Sequence, residues 1–147
     1  MAKKSGYIQA KRIDLNRQKL PFRKHMFDAV ICRQVLEHLL FPLTTTKEIY
    51  RVLKPTGFLF VSVPTRINSK FDDDYTHVRP FTAHSLETML YDAGFIKVVP
   101  IYNLIGIPGL GLLARLFGYN IEAASRSLAN KLPWLRELTN VEAVAIK

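Results

Sequence analysis

Two stretches of this chain, "DAVICR" at 28–33 and "FLFVSVP" at 58–64, carry apolar centres with no polar alternation. A strand exposed on one face alternates; a strand that runs apolar without interruption is suited to a parallel sheet covered on both faces. Between the two lies "TTTKEIYRVLKPTG". Thr45 and Glu48 have the spacing of a capping box, Ile49, Val52 and Leu53 supply an apolar face, and Pro55 with Gly57 ends the helix. Strand, helix and strand in this order are α/β logic.

The rest of the chain extends the pattern. "YIQAKRIDL" (7–15) alternates and is read as a strand ending near Asp14, followed by the polar loop "NRQKLPFRKHM". "TRINSKFDDDYTHVRPF" is a long irregular loop, and loops of that length inside a domain are usually functional. A helix is expected to begin at Thr82. Its Leu86, Met89, Leu90 and Ala93 recur at helical spacing, and Gly94 closes it. "FIKVVPIY" reads as a strand near a sheet edge, because Pro100 cannot donate to a ladder, and "VEAVAIK" reads as the last strand. The segment 103–139 between them is apolar and Gly-rich at its start. No charge occurs from Val98 to Ala114, but Gly106, Pro108, Gly109 and Gly111 break any spanning helix. It is read as an insert that packs across the sheet end, flaps over a pocket, or touches a membrane surface.

With 147 residues, of which 48% are hydrophobic and 22% charged, the chain suits one domain with a real core. The net charge of +9 favours anionic partners, and eight of the 21 basic residues lie within the first 25 positions. A nucleic-acid role is thereby raised, but a solvated basic face is the preferred reading. The single Cys32 excludes an intrachain disulfide framework and reads as an inert core thiol; "MAKKSGYIQAKR" lacks the apolar core of a signal peptide. A cytoplasmic protein, peripheral to a membrane at most, is expected.

Polar side chains cluster at the mouth of the first core strand: Arg33, Gln34, Glu37 and His38. His38 can accept a proton near neutral pH, and a neighbouring carboxylate from Glu37 would assist it. The competing reading has Glu37 cap a turn and His38 pack beneath it. On the long loop, Tyr75, His77 and Arg79 could hold the carboxylate or phosphate of a substrate, unless Arg79 pairs with Asp72 to Asp74. The triple Asp is read as a solvated loop, and no metal site is expected.

"LPFRKHMFDAVICRQVLEHLLFP", "EIYRVLKPTGFLFVSVP" and "THVRPFTAHSLETMLYDAGF", taken in order, resemble the class I S-adenosylmethionine-dependent methyltransferases of the type 11 group. The resemblance implies an α/β fold: a partial Rossmann-like methyltransferase sheet with strands equivalent to the third to seventh of the family, and an apolar helical insert before the last strand. In the family order, 3-2-1-4-5-7-6, "IDLN" stands for the third strand and "DAVICRQVLEH" for the fourth. No G-x-G-x-G precedes "IDLN", so the Gly-rich donor loop and the first two strands have no counterpart. One incomplete methyltransferase domain, 1–147, is the expectation.

The resemblance also implies roles. S-adenosylmethionine is the cofactor. Asp14 would accept the adenine amino group and the Leu15 N–H would meet a ring nitrogen; the alternative is that Asp14 only turns the chain. Arg33, Gln34 and Val35 would line the donor at the carboxyl end of a parallel strand. Glu37 and His38 are the catalytic pair, and Tyr75, His77 and Arg79 would hold a small or lipid-like acceptor. Without its usual neighbours the fourth strand would expose an apolar edge, open to a second copy or a complementary chain. A non-catalytic interaction module using that edge is the competing function, with RNA contact a third.

Overall fold

The computed structural model describes residues 10–65, 71–102 and 140–147. Strand β1 (Phe27–Arg33) leads through a 3-10 turn (Leu36–His38) into helix α1 (Pro42–Val52), which passes directly into β2 (Leu53–Val63). A second 3-10 turn (Phe71–Asp73) precedes α2 (Ala83–Asp92), then β3 (Lys97–Tyr102) and β4 (Val141–Ile146). The sheet order is β1-β2-β4-β3. β1 and β2 are parallel, whereas β4 runs antiparallel to both β2 and β3. This is the 4-5-7-6 part of the order that the resemblance implied, so the α/β expectation holds.

Both helices pack against the sheet and touch one another: α1 lies on β2, and α2 on β3 and β4. Leu36, Leu53, Leu59, Val61, Leu86, Leu90 and Phe95 form the buried centre. β4 alternates, with Val141, Ala143 and Ala145 buried. α2 begins where Thr82 predicted: its hydroxyl accepts the Ser85 N–H at 3.1 Å, and the Ser85 hydroxyl accepts the Thr82 N–H at 2.9 Å. Gly94 ends the helix at φ 109°.

Four expectations change. β1 is the sheet edge among the described residues, as the missing neighbours implied, but it is not buried on both faces: Ile31 is 74% exposed. Its apolar run was read as doubly buried, but its only described ladder partner is β2. Residues 10–15 are not a strand, and 7–9 lie outside the described residues. With no neighbour to complete a ladder, this backbone closes on itself as a turn, the Gln18 N–H donating to the Asp14 carbonyl at 2.8 Å. Helix α1 starts at Pro42, not Thr45, because proline suits the first helical position. The Thr45 hydroxyl donates instead to the Leu15 carbonyl at 3.2 Å, and Glu48 binds Arg51.

Pro55 and Gly57 do not end a helix; they lie in β2. Phe27 pairs with Leu53 but Ala29 with Phe58, so the stretch from Lys54 to Gly57 bulges. A Cβ at Gly57 would lie 2.9 Å from the Asp28 carbonyl oxygen, which restricts that position to glycine. The 103–139 insert lies outside the described residues, apart from the strands that flank it.

Candidate functional site

At the carboxyl end of β1 the chain must leave the sheet abruptly. Gln34 does this at φ 52°, a left-handed conformation that costs a non-glycine residue about 1–2 kcal/mol. Its N–H stays tied to β2 by a 2.8 Å bond to the Ser62 carbonyl. The following turn closes with His38 N–H on Val35 O and Leu39 N–H on Leu36 O. Leu36 and Leu39 are pulled into the core, and Glu37, between Leu36 and His38, is buried with them.

Glu37 is fully buried, and among the described residues neither of its carboxylate oxygens makes a hydrogen bond of acceptable geometry. Burial pushes its carboxyl above the usual range, against smaller opposing effects from the nearby but poorly aligned backbone N–H groups of Glu37 and Val35 and from His38 and His77. Nε2 of His38 lies 3.8 Å from Oε1, too long for a hydrogen bond.

The long loop brings the second half of the site. The N–H groups of Val78 and Arg79 donate to the Glu37 carbonyl at 2.8 and 3.3 Å. That strap sets the His77 ring against His38, with centroids 4.7 Å apart, and against Phe71 at 4.6 Å. Nδ1 of His77 is 2.8 Å from the Phe71 carbonyl, which can only accept, so Nδ1 carries a proton; in the neutral ring the lone pair is then on Nε2, which lies 3.7 Å from the Asp74 carboxylate. His38 follows the same logic. The Thr76 hydroxyl donates to Asp74 at 2.6 Å, leaving it to accept from Nδ1 of His38 at 3.0 Å. Asp74 is held below the usual carboxylate range by those two Thr76 bonds. Glu37, His38 and His77 thus each offer a ligand atom, all lying within 4.8 Å of one another.

The other expected residues fall elsewhere. Arg33 and Gln34 are exposed and Val35 half-buried at the end of β1. Asp14 is exposed and occupied locally, accepting the Asn16 N–H at 3.0 Å and lying 3.7 Å from Arg17. Leu15 and Val35 share an apolar cavity of about 340 Å³ along β1. Tyr75 is 97% exposed. Arg79 belongs to the site through its backbone, while its side chain lines a cleft with Phe41, Phe81 and Met89. Asp74, Thr76 and Phe71 orient the two imidazoles, a role that the reading of "DDD" as a solvated loop missed. The Asp-x-Thr spacing of 74–76 was the available signal, since it forms a local turn with Thr76 N–H on the Asp74 carboxylate at 2.9 Å.

Comparison with known proteins agrees with this fold. Residues 2–61 match the family described as "Methyltransferase domain". A probable S-adenosylmethionine-dependent methyltransferase of Mycobacterium tuberculosis is 32% identical over 139 residues, covering 92% of this chain and 51% of that protein. Among solved structures, an S-adenosylmethionine-dependent methyltransferase from Mesorhizobium loti superposes with a TM-score of 0.63 at 15% identity, covering 99% of this chain and 74% of the other. The [4+2]-cyclase SpnF superposes with a TM-score of 0.58 at 24% identity, covering 93% and 54%. In sequence and fold the chain is similar to S-adenosylmethionine-dependent methyltransferases. It spans about half the length of the curated relatives it matches.

Proposed function

We propose that this chain forms the acceptor side of an enzyme that transfers a methyl group from S-adenosylmethionine to a small or lipid-like acceptor. The reading is carried by one observation: the cluster of Glu37, His38 and His77 stands just past the carboxyl end of β1, where parallel α/β sheets place their ligands. The donor supplies an electrophilic methyl group when bound. The described residues fit one side of it: Arg33 and Gln34 are exposed to meet polar groups and Val35 meets an apolar surface, while Asp14 is committed to its own turn. What the chain itself does is accept the proton. Nε2 of His38 has the lone pair, Thr76 fixes the ring, and the Glu37 carboxylate lies where its charge would offset the imidazolium.

Isothermal titration with S-adenosylmethionine, together with assay of S-adenosylhomocysteine release, tests the reading. Donor binding and turnover lost in His38→Ala support it; absence of donor binding by any form containing this chain sinks it.

The exposed β1 edge favours a second reading, an interaction module paired with a second copy or a complementary chain. A stable dimer without donor binding in size-exclusion chromatography would favour it. No helix among the described residues is long and apolar enough to cross a membrane. A cytoplasmic protein that touches a membrane surface through the 103–139 segment agrees with a lipid-like acceptor. Nucleic acid is not favoured: Lys11 lies over the Phe22 ring and Arg17 against Asp14.

A further inference from the structure

We propose that Glu37, His38 and His77 bind a divalent first-row transition cation, a site that spacing in the sequence does not announce. The three ligand atoms lie within 4.8 Å of one another. Bonds of about 2.0–2.2 Å to a cation place neighbouring ligand atoms roughly 3 Å apart, so the side chains need to close by an ångström or so. His38 and Glu37 are already at 3.8 Å.

Three independent features point to a cation and not to a simple ion pair. First, Glu37 is fully buried and both oxygens are orphaned. Protonating the carboxyl would let one O–H turn to the His38 lone pair, 3.8 Å away, but would still leave the other oxygen without a partner. A cation satisfies it. Second, the Nδ1 contacts select, for each neutral imidazole, the tautomer with its lone pair on Nε2: Phe71 O holds the Nδ1 proton of His77 and Thr76 holds that of His38. Metal-bound histidines are oriented in this way, through the other ring nitrogen, by a carbonyl or hydroxyl partner. Third, two imidazoles and one carboxylate are the donor set of open transition-metal sites, which leave positions for water or substrate. The partly exposed edge of His38 (side chain 34% exposed) provides that opening.

The catalytic consequence rests on the methyl-transfer reading above; cation binding does not. A cation in this position would hold the acceptor's oxygen or nitrogen and make its proton more acidic, so the proton leaves to solvent and a methyl bond forms as the sulfonium bond breaks. In the cation-bound form His38 would be a ligand; the proton-accepting role proposed above belongs to the metal-free form. Transfer is redox-neutral, so the cation needs no change of oxidation state.

The full chain, stripped with a chelator and free of donor, is titrated with Co²⁺ and followed by visible absorption and calorimetry. One equivalent with ligand-field bands is expected. Glu37→Gln and His77→Ala should each lose binding by more than Thr76→Val, which removes only an orienting contact and should weaken affinity about 10- to 100-fold. His84→Ala, on the exposed face of α2, should bind as wild type. Metal-free Glu37→Gln should melt no lower than wild type, since its amide can donate to the His38 lone pair; a purely structural Glu37 would predict a loss. Absence of bands in the wild type at millimolar Co²⁺, or binding that survives both Glu37→Gln and His77→Ala, overturns the proposal. Donor titration in the same metal-free protein reports separately on the methyltransferase reading.

Discussion

The carbonyl oxygen of Glu37 accepts the N–H of Val78 at 2.8 Å, a bond between residues on opposite sides of α1 and β2 in the chain. It is a main-chain contact, so no side chain near 78 has to be of a particular kind to make it. Its effect is to press the loop onto the turn after β1, so that His77 meets His38 and the buried Glu37 carboxylate. The site therefore depends on two segments that are each ordinary: a turn that buries its middle residue, and a loop strapped to that turn's backbone.

Glu48 and Arg51 form a comparable strap outside the site. Both guanidinium faces are used: Nε and Nη2 donate to the Glu48 carboxylate, while Nη1 and Nη2 reach the carbonyls of Phe22 and Leu20. Glu48 also accepts the Leu20 N–H at 3.1 Å, and hydrogen bonding from Arg51 holds its carboxyl below the usual range. A depressed folded value means stability that is present above the unfolded value of 4.5 and lost as the pH falls through the folded one. Glu48→Gln should cost about 1–2 kcal/mol at pH 7, and much less at pH 3, by urea unfolding. An equal cost at both pH values would show that the charge is not what matters.

Gly94 is positioned at φ 109°, and a Cβ there would lie 3.2 Å from the Tyr50 ring. Tyr50 packs edge-on against Phe95 and cannot retreat without disturbing it. Gly94→Ala should destabilise the fold by about 1–3 kcal/mol in thermal or denaturant unfolding. A change below the error of the measurement would mean that the turn after α2 relaxes freely.

Much of the fold was legible because local chemistry and burial agreed. α2 began at Thr82 as expected, Gly94 ended it, and Pro100 sat on the edge strand β3. Capping logic failed at Thr45, because Phe41-Pro42 opened the helix a turn earlier and left Thr45 inside it. The strand expected at 7–15 failed for a different reason. Alternation in sequence describes a strand only when a neighbour completes its ladder, and residues 10–15 have none. In the site, His38 and Glu37 were legible as neighbours in sequence. Their meeting with His77 was not, since it depends on a backbone bond that no side-chain pattern encodes.

Cys32 offers a test of the packing behind the cluster. It is buried in β1, and burial, with Glu37 adding to it, pushes its thiol up to about 12. Only the thiolate reacts with disulfide reagents, so the folded protein should be almost unreactive at pH 8 and should label fully in denaturant. Labelling at the rate of a free thiol under native conditions would show that β1 opens readily. Slow labelling that accelerates with urea would report the local unfolding of this edge.

The edge itself can be tested at Ile31, 74% exposed in the centre of β1 and paired only with Phe60 of β2. An exposed apolar residue contributes little to the isolated fold, so Ile31→Lys should change unfolding stability by no more than about 0.5 kcal/mol. If a second copy or complementary chain covers β1, the same substitution places a charge in that contact and should shift the species seen in size-exclusion chromatography toward the monomer. Lysine is a common means of keeping strand edges from pairing. A chain that elutes as a monomer before and after the change would show that β1 has no partner of its own kind. A large loss of stability in a monomer would show that Ile31 is covered from within the chain.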